Sequence, residues 1–195
     1  MGADGAHRTI EFAGRCWWVK QATEPVGPGP NRFDDSPAGV EVTDDGGLVL
    51  RVRRVGGVWR CAEVVGAEPT GFGTYEWTVH SDLRAMPRDV VCGMFTWSDD
   101  PAHANRELDI EVSAWGERSG VVGTFVVQRG PAGDHHRTFV VPPPMALLVR
   151  LALGPRDVPG HGRGPVALPR RRRATCRRCA PTPQPVAVRR GPADR

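Results

Sequence analysis

The sequence predicts an all-β protein, a sandwich or barrel, on three observations. Short runs alternating apolar and polar residues recur through the first 141 residues, at close to the roughly 8–12-residue spacing of such folds. Glycine (24) and proline (19) are abundant among the 195 residues and supply turns. No stretch of ten residues carries a convincing helical stripe.

The elements follow in order. Thr9 to Val19 reads as one or two short strands, and Gly27-Pro28-Gly29-Pro30-Asn31 as a loop by its turn chemistry. Gly39 to Val42 and Gly47 to Val55 alternate like strands on either side of Asp44-Asp45-Gly46-Gly47. Val58 to Val65, Gly73 to Ser81, Val90 to Trp97, Glu107 to Ala114, Val121 to Gln128 and His136 to Val141 continue the series. All 13 aromatic residues lie at or before Phe139. No strand period is legible beyond Leu153, where proline and arginine dominate.

The length suits one domain, here residues 1–147, followed by an Arg/Pro-rich tail at 148–195. Hydrophobic content of 39% and charged content of 25% are ordinary for a globular protein. No apolar run approaches the roughly 20 residues of a membrane span, and the first 20 residues carry no apolar core of a signal peptide. Charge is segregated. Residues 1–147 hold 13 Arg and one Lys against 20 acids, a net of −6, whereas 148–195 hold 12 Arg against Asp157 and Asp194, a net of +10. Such a tail buries too little apolar area to offset its chain entropy, so it is expected to be disordered as written or translated out of frame. A shifted frame could restore a Trp-bearing strand pattern over 148–162. Nucleic-acid binding by the tail would be nonspecific, because it has no aromatic residue for base stacking.

Glu107, Asp109 and Glu111 stand at alternate positions in RELDIEVSAWG. On a strand all three carboxylates share one face, and Leu108, Ile110 and Val112 share the other. Like charges held together hinder one another's ionisation. Such pairs supply what glycoside hydrolysis needs, a nucleophile and a general acid/base. A solvated acidic strand face is the plainer alternative. The nearby Trp97 and Trp115 could stack on sugar rings or simply pack the core.

These residues resemble a known family. Glu107-Leu108-Asp109-Ile110-Glu111 resembles the catalytic E-x-D-x-E of glycoside hydrolase family 16, which includes lichenases, laminarinases and related glucanases and galactanases. Gly71-Phe72-Gly73-Thr74-Tyr75-Glu76-Trp77 resembles the family's G-Y-G-x-Y-E strand, and Trp59-Arg60-Cys61-Ala62-Glu63 its C-A-E stretch. Met94 to Trp97 and Pro101-Ala102-His103 keep the family's order before the acidic strand, and Gly27 to Phe33 resembles its G-P-G-P-N-x-F. The likeness covers residues 8 to 141.

The resemblance implies a concanavalin A-like jelly-roll β-sandwich, incomplete at its C-terminal end, with a cleft on the concave sheet. It implies a retaining, endo-acting β-glycosidase that cuts a β-linked glucan or galactan outside the cell, as a monomer and without a cofactor. Glu107 would be the nucleophile and Glu111 the general acid/base, with Asp109 orienting Glu107. Trp115, Trp97, Glu63 and Asn31 would contact substrate, although Asn31 serves equally as a turn residue. Lichenases carry an Arg two residues after the Glu that matches Glu63; Val65 stands there here. A Cys16–Cys61 bridge is left open by the resemblance. No metal is expected: His103 reads as a loop residue, and neither His135-His136 nor Cys176-x-x-Cys179 makes a zinc site. The rival reading is a catalytically inactive carbohydrate-binding jelly-roll fragment.

Overall fold

The computed structural model describes residues 7–98, 107–128, 133–141 and 147–153, and the backbone of 185–190. Strands β1 (Thr9–Phe12) and β2 (Arg15–Val19) form a hairpin closed between Phe12 and Arg15. Ala13 and Gly14 both take positive φ, 53° and 70°, as a two-residue turn matched to strand twist demands. The loop expected at 27–31 joins two strands that alternation did not reveal, β3 (Ala22–Val26) and β4 (Asn31–Phe33). Its Gly27–Pro28 peptide is cis.

The runs 47–55 and 58–65 each divide in two. β5 (Val40–Val42) pairs with β6 (Leu48–Leu50), and β7 (Arg53–Val55) with β8 (Val58–Arg60). Gly56 and Gly57, at φ 57° and 83°, make the second hairpin turn. Cys61 then bridges Phe33 in parallel before β9 (Ala62–Gly66) joins other partners. Each division falls where the chain changes partner, which local alternation does not register.

β10 (Gly73–Val79), β11 (Val90–Phe95), β12 (Leu108–Ser113), β13 (Val122–Val127) and β14 (His135–Val140) fall where alternation put them. A 3-10 turn at Leu83–Ala85 precedes β11, and the Asp82 side chain accepts from the Arg84 N–H at its start. β15 (Leu147–Leu153), from its second residue on, and β16 (Pro185–Arg190) lie in the stretch assigned to the tail. As written, β15 pairs along its whole length with β10, from Leu147–Val79 to Leu153–Gly73.

Eight strands make one antiparallel sheet in the order β1-β2-β9-β16-β11-β12-β13-β14. β16 fills the slot between β9 and β11, pairing Ala187 with both Glu63 and Gly93. Its register sets Val186 against Val64 and Met94 and Val188 against Ala62 and Cys92, an alternation of only two valines that the surrounding proline and arginine obscure in the sequence.

The large sheet packs one face against β5–β6 and β10–β15. Val19, Val40, Ala62 and Val64 form one buried cluster with Leu48 and Leu50 against it. Met94, Ile110 and Val149 form another, supported by Trp77 and Leu151. Cys92, Val112, Leu83 and Val141 continue it. The result is an all-β jelly-roll sandwich. Among the described residues no helix is long and apolar enough to cross a membrane.

Candidate active site

β12 sorts its side chains as alternation predicted. Ile110 and Val112 enter the core between the layers. Glu107, Asp109, Glu111 and Ser113 therefore occupy the other face of the large sheet. Asp109 is buried there, paired with Phe95 on one side and Val126 on the other. Glu107 and Glu111 are half-buried. Four residues separate them, about 13 Å along the strand.

Each end of the acidic row is anchored. At the Glu107 end the Thr96 N–H donates to Leu108 O at 3.0 Å, and the Leu108 N–H donates to the Thr96 hydroxyl at 3.0 Å. The contact between the strands thus continues one residue past β11, and Trp97, 46% exposed, follows directly on Thr96. Gln128 Nε2 donates to Glu107 Oε2 at 2.6 Å, and its backbone N–H to Glu107 O at 2.9 Å. At the far end the Ser113 hydroxyl donates to Val90 O at 2.9 Å and accepts from the Trp115 N–H at 3.0 Å. This holds the turn in which Trp115 takes φ 53° and stands 36% exposed. A tryptophan therefore marks each end of the row.

Glu63 lies on the same face, three strands away. The register links Glu63 to Ala187, Ala187 to Gly93 and Gly93 to Glu111, a span of about 14 Å at ordinary strand spacing. Its side chain is 4% exposed, and Lys20 Nζ donates to both of its carboxylate oxygens at 3.0 Å. Asn31 is buried on β4, donating from Nδ2 to Pro28 O at 2.8 Å and accepting from the Cys61 thiol at 3.5 Å. The β12 acids and Glu63 thus share one face of the large sheet, whereas Asn31 belongs to the separate β3–β4 sheet and is tied to Cys61, two residues before Glu63.

Lys20 and Gln128 were not singled out from the sequence. Lys20 is the only lysine in the chain, a signal that could have found it. Gln128 ends its strand opposite Glu107, and only the register reveals that. Cys16 and Cys61 are free thiols, so the bridge left open is not formed. Among the described residues no three His, Cys, Asp or Glu side chains group to hold a metal. His135 and His136 are exposed on β14. His103, Cys176 and Cys179 lie outside the described residues.

No family model matches the chain, and no curated protein does. Among solved structures it is similar to Rv0315 of Mycobacterium tuberculosis, described as an immunostimulatory antigen and pseudo β-1,3-glucanase. The TM-score is 0.57 at 18% identity, over 88% of this chain and 78% of that one. The likeness establishes a shared fold: this chain has a glucanase-like β-sandwich.

Proposed function

We propose that this chain acts on a β-linked polysaccharide, a glucan or galactan, as a retaining endo-glycosidase of the family 16 type. One observation supports the reading above others: the carboxylate row of β12 faces away from the core, with a tryptophan at each end. In this reading Glu107 attacks the anomeric carbon, and Glu111 protonates the leaving oxygen and then activates water. Asp109 orients Glu107. Retaining chemistry needs working carboxyls about 5–5.5 Å apart, so Glu107 and Glu111 must lean toward each other over Asp109. Trp97 and Trp115 offer ring faces to sugars flanking the scissile bond. No cofactor enters this chemistry.

The test is release of reducing ends from β-1,3-glucan, mixed-linkage glucan and galactan by the full chain and by Glu107→Gln. Loss of release with an unchanged melting temperature is expected. Undiminished release by the variant would sink the reading. The description of Rv0315 as a pseudo-glucanase favours one second reading, a protein that binds such a polysaccharide without cutting it. Glucan binding by the wild type with no reducing ends released would establish that alternative.

A further inference from the structure

Glu107 is tied to the neighbouring strand twice by one residue. The pairing of β12 with β13 continues one step past Leu108 and Val127, where the Gln128 backbone N–H donates to Glu107 O at 2.9 Å. From that fixed backbone the Gln128 side chain returns to the same residue, and its Nε2 donates to Glu107 Oε2 at 2.6 Å. Both residues are half-buried, so water competes only partly for the bond. The main-chain bond sets where the two side chains start. The side-chain bond sets where the carboxylate points.

The charges around Glu107 give the amide its importance. Asp109 and Glu111 follow on β12, and His136 stands on β14 in the row Asp109–Val126–His136. β11 and β13, on either side of β12, carry no charged residue. Neighbouring carboxylates hinder one another's ionisation, and a donor to the charged form favours it. Asp109 cannot donate to Glu107 while ionised. A primary amide donates at every working pH, because it does not titrate. Bonds from such donors to a carboxylate are among the stronger hydrogen bonds.

We infer that Gln128 is a positioning residue for the nucleophile. By donating to Oε2 it keeps Glu107 ionised beside two further carboxyls and fixes the direction of its carboxylate. The inference rests on the glycosidase reading above, in which Glu107 attacks as the anion. Gln128 acts through Glu107 and not on substrate, so its loss should cost kcat and not KM.

The experiment follows reducing-end release by the full chain from β-1,3-glucan, mixed-linkage glucan and galactan as a function of pH. Gln128→Leu keeps most of the bulk and removes the donor. It should lower kcat by about tenfold to a hundredfold, as loss of a hydrogen bond to a charged group predicts, with KM and melting temperature little changed. The acid limb of its kcat/KM profile should move to higher pH, since an unsupported carboxylate takes up its proton earlier as pH falls. Gln128→Glu is nearly isosteric but donates only while protonated, so its alkaline limb should fall at lower pH than the wild type's. Gln128→Leu with wild-type kcat and acid limb overturns the inference alone. So does a loss of kcat equal at every pH with a Gln128→Glu profile matching the wild type, since the amide would then be a structural tie only. A wild-type chain that releases no reducing ends from any of the three polysaccharides overturns the glycosidase reading and this inference with it.

Discussion

Val149→Asp tests whether residues 147–153, as written, belong to the core. Val149 is 4% exposed and packs with Met94 and Ile110, whereas its neighbour Leu148 is 56% exposed. Removing the buried valine forfeits about 2 kcal/mol of transfer free energy. The introduced carboxyl must be neutralised to stay inside, and holding it protonated at pH 7, about three units above its ordinary pKa, costs about 4 kcal/mol. The total of about 6 kcal/mol is comparable to the whole stability of a typical domain. The sign with pH follows. The folded-state pKa of the new group is raised, so its penalty is absent below about pH 4 and grows as pH rises toward 7. Leu148→Asp faces solvent and should change stability by no more than about 0.5 kcal/mol. Urea titrations followed by tryptophan fluorescence at pH 7 and pH 4 read both variants. Val149→Asp should be largely unfolded at pH 7 and partly recovered at pH 4. If it matches Leu148→Asp at both pH values, β15 is not part of the core and the tail begins before it.

Other outcomes follow from the same packing. The Phe139 ring lies where a side chain on Gly123 would stand, and Phe139 pairs with Gly123 across β13 and β14. Gly123→Ala should therefore cost about 1–3 kcal/mol in a denaturant melt, and Gly123→Ala/Phe139→Leu should recover part of that. Burial pushes the Cys92 thiol up from 9.0 to about 11. Cys92 should react with thiol reagents at pH 8 far more slowly than the partly exposed Cys16. Its raised pKa means that the unfolded chain loses the proton first, so stability falls as pH climbs from about 9 to about 11. A Cys92→Ala chain should lack that part of the alkaline decline.

The large features were legible because their causes are local. Alternation of Glu107, Asp109 and Glu111 with Leu108, Ile110 and Val112 dictates that acids and core residues part company on any half-buried strand. Paired glycines at 56 and 57 dictate a tight hairpin. These periodicities placed the strands from β10 to β14 and put the carboxylates on one face. What alternation could not express is who pairs with whom. The split of 47–55 and 58–65 reflects a change of partner, and neither β3, which contains Pro25, nor the three-residue β4 shows a clean period. β16 reads as part of an arginine-rich tail, yet it sits between β9 and β11, with Val186 and Val188 in register with core residues of both neighbours. Only through that insertion do Glu63 and Glu111 share a row, and only through the β2–β9 pairing does Lys20 reach Glu63. The sequence by itself determined the faces, because side-chain direction follows the backbone residue by residue. The tertiary structure decided the neighbours, because strand order and register arise from contacts distant in the chain.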